Sequence, residues 1–373
     1  MSFEKKLSKK YTAMRPTYKQ TKNFLLFLSG TFLLFVITLP QMSCTDIEGD
    51  GADSLLWLGA TLPEESSYRN PIWEPDLSNP SVFRGATQFF AFGDEKEWSE
   101  GLNYVVPVLR SGNLMTWSLS GEAFATRPSW AEGKISSVSG LFAKTLSTYY
   151  LAYTIDDEIG IAYSKAPQGP YIDYGQLVAP GDLDFDFCKA PYLIQAGLKF
   201  YLFFETEDGV SGTELNITRN AIPSLKGEVF KIAGSGFTGA HILRKSASSY
   251  YFFGTSGEEG NINIKIARST NIDGPYLDKN GNDILSGNGT ELISSDPAKN
   301  INSPSQVGGI FTDFEEKDWI IYQVTDNDKP NLSTGTPRRP LMLNRIEWDE
   351  EGWPVTIIEA AEGWQKPKFV LSN

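Results

Sequence analysis

The sequence predicts an all-β fold, a five-bladed β-propeller, and three observations carry that prediction. Aromatic residues make up 13% of the 373-residue chain, and 34 Gly and 21 Pro supply the dihedrals of tight turns between short strands. An aromatic-rich run recurs five times: Gln88-Phe89-Phe90-Ala91-Phe92, Tyr149-Tyr150-Leu151-Ala152-Tyr153, Phe200-Tyr201-Leu202-Phe203-Phe204, Tyr250-Tyr251-Phe252-Phe253-Gly254 and Trp319-Ile320-Ile321-Tyr322. Their starts lie 50 to 70 residues apart, the length of a four-stranded blade. Two runs lead into near-copies of one another. Ile159-Gly160-Ile161-Ala162-Tyr163-Ser164 precedes Gly169-Pro170-Tyr171, and Ile264-Lys265-Ile266-Ala267-Arg268-Ser269 precedes Gly274-Pro275-Tyr276. Each copy reads as an alternating strand, a Gly-Pro turn and a further strand. No stretch after residue 68 sustains a helical period. A β-sandwich has a similar turn density, but radial repetition accounts better for five similar units.

The elements follow in chain order. Residues 1–43 read as an export signal: seven basic residues from Lys5 to Lys22, an apolar run over 24–39 interrupted by Ser29, Gly30, Thr31 and Thr38, then Ser43-Cys44. The spacing is that of a lipoprotein signal with Cys44 as the lipid anchor; a short retained membrane anchor is the other reading. Residues 44–67 form an acidic tether carrying Asp46, Glu48, Asp50 and Asp53, and residues 68–373 form a single propeller domain.

The chain has 33 basic and 46 acidic residues and a net charge of −13. Removal of residues 1–43 takes away seven basic residues and one acidic residue, leaving 26 and 45, a net charge of −19. Such a surface repels nucleic acid and favours neutral ligands. With Cys44 lipidated, Cys188 has no partner for a disulfide. A monomer is expected, with membrane contact only through the lipid.

Several segments make the chain resemble glycoside hydrolase family 43. Asn70-Pro71-Ile72-Trp73-Glu74-Pro75-Asp76-Leu77-Ser78-Asn79-Pro80-Ser81-Val82 looks like that family's first-blade opening. Asn113-Leu114-Met115-Thr116-Trp117, the two Gly-Pro-Tyr turns, Arg339-Pro340-Leu341-Met342-Leu343 and Gly352-Trp353-Pro354 follow in the family's order. The resemblance spans about residues 68–356 and lies nearest the arabinan-cleaving branch. It implies a propeller acting on arabinan- or xylan-type glycans by inversion, which requires a base to activate water, an acid to protonate the leaving oxygen and a carboxylate to tune that acid.

At the three places where the resemblance sets these carboxylates, the chain reads Asn79, Ala190 and Thr238. Asn79 can hydrogen-bond a water but cannot take its proton, Ala190 tunes nothing, and the Thr238 hydroxyl is too weak an acid. Blade two reads Val138-Ser139-Gly140 where the family has Trp-Ala-Pro. Blade five reads Asn302-Ser303-Pro304-Ser305, with Ser303 in place of a His that helps hold an axial calcium. No cofactor is therefore expected, and an axial calcium is doubtful. Candidate substitute carboxylates are Asp76, Asp184, Asp186 and Glu258; Glu205, Glu207, Asp208 and Glu259 lie close to blade strands as well. Sugar binding needs only aromatic faces and fixed polar groups, and the candidates are Trp73, Asn79, Tyr192, Thr238 and His241, the chain's only histidine. The expected function is a non-hydrolytic carbohydrate-binding propeller. An active glycosidase using displaced carboxylates and a protein-interaction propeller are the alternatives.

Overall fold

The computed structural model describes residues 68–357, apart from 220, 259 and 300, together with 367–369. The expected export signal, its expected lipid-anchor residue Cys44 and the expected tether lie outside the described residues. The chain divides into Met1–Leu62 and Pro63–Asn373, and every described residue belongs to the second unit.

Five four-stranded antiparallel sheets make up the described fold, with no α-helix among the described residues. Blade one comprises β1 (Ser81–Arg84), β2 (Phe89–Phe92), β5 (Pro107–Ser111) and β6 (Ser118–Glu122). Between its second and third strands stands a small hairpin of β3 (Lys96–Ser99) and β4 (Leu102–Tyr104). Blade two holds β7 (Ser136–Ala143), β8 (Thr148–Ile155), β9 (Glu158–Ser164) and β10 (Ile172–Val178). Blade three holds β11 (Lys189–Ala196), β12 (Lys199–Thr206), β13 (Gly209–Asn216) and β14 (Ser224–Gly234). Blade four holds β15 (Thr238–Ser246), β16 (Ser249–Glu258), β17 (Asn261–Ser269) and β18 (Thr290–Ile293). Blade five holds β19 (Asn302–Thr312), β20 (Asp318–Thr325), β21 (Leu341–Trp348) and β22 (Pro354–Ile357). The first strand of each blade neighbours the first strand of the next, and β19 returns to β1, so β1, β7, β11, β15 and β19 ring the axis. This is the propeller that the repeats predict.

The aromatic runs are the second strands, and the packing explains their composition. Consecutive residues of a strand face opposite sides, and here both sides are buried between blades. In β8, Tyr149, Leu151 and Tyr153 pack toward blade one, while Tyr150 and Ala152 pack toward blade three. In β16, Tyr250 and Phe252 meet blade three, and Tyr251 and Phe253 meet blade five. Five apolar cores alternate with five sheets in this way, so the strands read as continuous rather than alternating apolar runs.

The ring closes through the segment before β1. Ile72 donates its amide to the Leu341 carbonyl at 2.8 Å, and Leu341 returns one to Trp73 at 3.1 Å. The Asn70 side chain donates to Leu343 at 2.9 Å and accepts from its amide at 2.8 Å. Blade five thus takes a strand-like edge from the start of the domain. The two Gly-Pro-Tyr copies are also alike in space. Gly169 and Gly274 both have φ +92°, and the Tyr171 and Tyr276 hydroxyls each donate to the carbonyl four residues back, at 3.0 Å. A Cβ on Gly169 would lie 2.7 Å from the Ala123 carbonyl, which is why only glycine fits there.

Candidate functional site

Each inner strand begins at a kink. Asn79, Ser137, Ala190, Gly239 and Ser303 have φ of 46°, 48°, 50°, 63° and 43°. This left-handed conformation is one that Gly and Asn adopt readily and Ala and Ser do not. The ladder register shifts just past the kinks of β7, β11, β15 and β19. The three positions where the resemblance sets the carboxylates, Asn79, Ala190 and Thr238, are at or beside these kinks, so the fold gathers them at one end of the axis.

A repeated latch fixes the kinks. A polar residue at the end of each second strand accepts a backbone N–H from the start of the next blade's inner strand. Asn79 donates to Gln323 Oε1 at 2.8 Å, Ser137 to Asp94 Oδ1 at 2.7 Å, and Ala190 to Thr154 Oγ1 at 3.2 Å. Gly239 donates to Glu205 Oε2 at 3.3 Å, and Gln306, which like Ser303 has a positive φ, donates to Thr255 Oγ1 at 3.2 Å. Thr154, Glu205, Thr255 and Gln323 come directly after the aromatic runs, and Asp94 comes two residues after its run. That polar column emerges only once the structure aligns the blades, and of its members only Glu205 stands among the residues singled out from sequence.

Two latch residues are carboxylates beside the candidate positions. Asp94 accepts from Asn79 Nδ2 at 2.7 Å on the oxygen not used by Ser137. Enclosure pushes its carboxyl up to about 7, against the smaller opposing effect of these two hydrogen bonds. Glu205 has its other oxygen 3.6 Å from Lys189 Nζ. Both oxygens of each group therefore have protein partners.

The other candidate carboxylates are placed differently. Asp76 is buried and bonded to Lys96 Nζ at 2.8 Å, to the Arg339 amide at 2.7 Å and to Ser78, where it holds the blade-one entrance to blade five. Asp184 and Asp186 are exposed on the loop before β11, and Glu258 is exposed at the end of β16. Glu259 lies outside the described residues.

Among the sugar-binding candidates, Trp73 bonds the Asp76 carbonyl at 3.1 Å and packs its ring 6.0 Å from that of Trp98, in the seam between blades one and five. Thr238 is exposed at its kink, and Asn79 is partly exposed. Tyr192 and His241 pack together further along the axis, their ring centroids 4.8 Å apart, and the Tyr192 hydroxyl donates to the Ile242 carbonyl at 3.1 Å. In blade two the kink falls at Ser137, one residue ahead of Val138-Ser139-Gly140. There Ser139 is buried, and its hydroxyl accepts from the Leu193 amide at 2.9 Å.

The start of blade five offers Asn302, Ser303 and Ser305, with no charged donor, so it does not suit a hard cation such as calcium. Among the described residues no group of three or more His, Cys, Asp or Glu is disposed to hold a metal. Cys188 is free and buried, its thiol pushed up to about 12 by that burial, and is inert as a nucleophile.

Comparisons with known proteins agree with this geometry. The family model described as Glycosyl hydrolases family 43 matches residues 68–354. An extracellular exo-alpha-(1->5)-L-arabinofuranosidase of Cellvibrio japonicus is 26% identical, the match covering 80% of this chain and 91% of that protein. An extracellular endo-alpha-(1->5)-L-arabinanase of Bacillus subtilis is 24% identical over 74% of this chain and 87% of its own length. Among solved structures, a Cellvibrio cellulosa alpha-L-arabinanase complexed with arabinohexaose superposes with a TM-score of 0.62 at 22% identity, covering 76% of this chain and 96% of that one. At that identity the superposition speaks for the fold.

Proposed function

The chain belongs to glycosyl hydrolases family 43, and from that premise we propose that it is an exported, lipid-anchored propeller that binds arabinan-type glycans without hydrolysing them. One observation carries the reading. The entrances of blades one, three and four present Asn79, Ala190 and Thr238, while the nearest carboxylates, Asp94 and Glu205, each have both oxygens engaged. Inverting hydrolysis needs two carboxyl groups facing across the sugar, about 6.5–9.5 Å apart, with one free to activate water. Positioned acid–base groups contribute about 10²- to 10⁴-fold each, so their loss removes most turnover and leaves binding intact.

The relatives' printed substrates, arabinan chains linked alpha-(1->5), give the ligand class, and their description as extracellular agrees with the export signal. Binding would rest on Asn79 and Thr238 at the kinked end. Calorimetry with arabino-oligosaccharides tests this. Affinity in the micromolar to millimolar range, weakened at least several-fold by Asn79→Ala with Thr238→Ala, is the expected result, and no binding at millimolar ligand would contradict it.

A second reading keeps activity, and Asp94 is the observation that favours it. Its carboxyl titrates near 7 beside Asn79, the behaviour of a group poised for proton transfer. In that case Asp94→Asn would abolish a measurable hydrolysis.

A further inference from the structure

The cavity on the propeller axis lies beyond the kinks, toward the carboxyl ends of the inner strands. It is open to solvent, has a volume of about 540 Å³ and is lined by residues 81–84 of β1, 140–142, 144 and 145 of β7 and the turn after it, 192–195 and 197 at the end of β11, 241–244 of β15 and 308–311 of β19. The kink residues Asn79, Ser137, Ala190, Gly239 and Ser303 are not part of its wall. It is thus centred away from Asn79 and Thr238, with Tyr192 and His241 alone of the sugar-binding candidates in its wall, and its volume suits a ligand of one or two rings.

Its charge runs against that of the chain. In a protein with 46 acidic and 33 basic residues, the cavity wall contains Arg84, Lys144 and Arg244 and no acidic residue at all. Arg84 lies over the rings of Phe89, Phe314 and Phe369 at 5.6–5.7 Å. Lys144 and Arg244 are exposed and form no ion pair among the described residues. On neighbouring hairpins Glu214 pairs with Lys199 and Lys226, and Glu315 with Lys317 and Lys368. Two cations without an ion-pair partner at the rim of the cavity bias its potential toward an anion.

Deeper in, His241 is 8% exposed, and its Nδ1 is buried without a hydrogen-bond partner. An unpaired buried polar atom is uncommon in a folded protein and costs about 1–3 kcal/mol. Nδ1 itself is closed off, but the other ring nitrogen is neither enclosed nor hydrogen-bonded, and a ligand hydroxyl in the cavity would meet the ring there. Burial holds this imidazole neutral, its titration lowered to about 3, so the ring can pair with a hydroxyl while adding no charge. The wall between these polar ends carries Phe142, Ile194, Ile242 and Leu243, surfaces that pack on the C–H face of a ring.

We propose that this axial cavity binds a hydroxylated ring carboxylate, the chemistry of a hexuronic acid, with the carboxylate toward Lys144 and Arg244 and a hydroxyl on His241. The test is calorimetry on the full chain with four probes: galacturonate, galactose, benzoate and acetate. Galacturonate should bind at least tenfold more tightly than galactose, which lacks the charge, and than benzoate or acetate, which lack the hydroxyls. Lys144→Gln with Arg244→Gln, both exposed positions, should weaken galacturonate at least tenfold and leave arabino-oligosaccharide binding unchanged. His241→Phe should narrow the preference for galacturonate over benzoate. Absence of galacturonate binding at millimolar concentration, equal affinity for galactose, or indifference to the paired substitution would overturn the site. Equal affinity for benzoate would overturn the assignment of a hydroxylated ligand.

Discussion

Ala190 holds a left-handed backbone, φ 50°. Such a conformation costs an L-residue about 1–2 kcal/mol, less for Asn. Ala190→Asn is therefore expected to stabilise the fold by up to about 1 kcal/mol, read as a rise in thermal midpoint; a fall would mean that the site has no room for the amide. Asp94 makes a second residue-scale prediction. Its carboxyl titrates near 7 in the fold and at about 3.9 in an unfolded chain. Between those values the fold retains a proton that the unfolded chain has released. The stabilisation is complete below about pH 4 and is lost as the pH rises through 7. Asn cannot ionise, so Asp94→Asn should be more stable than the native chain at pH 8, by on the order of 1 kcal/mol after solvent screening, and the advantage should shrink toward pH 4. A difference independent of pH would show that Asp94 is already charged in the fold.

At the scale of elements, each second strand belongs to two cores at once, so its residues are not interchangeable with those of the outer strands. Phe203 on β12 is fully buried against blade four, and Phe252 on β16 against blade three. Truncation of either to Ala should cost about 3–5 kcal/mol, measured by chemical denaturation. Leu119 on the outer strand β6 is 37% exposed, and its truncation should stay within about 1 kcal/mol. The same two-sided burial made the blades legible beforehand. A strand buried on both faces must be apolar throughout, and five such runs at blade spacing leave few other architectures. The Gly-Pro-Tyr copies were legible for a similar reason, since a positive φ favours Gly at both turns and at Gly169 a close carbonyl leaves no room for a Cβ. The small β3–β4 hairpin carries no such restriction: its strands are short and largely polar, and nothing in Lys96–Ser99 or Leu102–Tyr104 sets them apart from loop.

For the molecule as a whole, the kinked end was only partly legible. Asn79, Ala190 and Thr238 could be placed by motif order, because Pro80, Pro191 and Gly239 mark the strand entrances. The latch residues could not, because Asp94, Thr154, Glu205, Thr255 and Gln323 share a place in the blade but not a residue type. His241 was expected with the sugar contacts, and it lines the axial cavity beside Tyr192. At this scale a chelator should leave the thermal midpoint within about 1 °C, since the start of blade five has no charged donor for a hard cation. A drop of several degrees restored by calcium would contradict that. Mass analysis of the amino-terminal peptide after bacterial expression should find lipid on Cys44, and an unprocessed terminus would rule that out. The most direct test of the account is an assay of sugar release by the purified, unmodified protein from arabinan, arabinoxylan and aryl-arabinofuranosides. No release above background is expected, with oligosaccharide binding retained. Sustained turnover that disappears in Asp94→Asn or Glu205→Gln would contradict it.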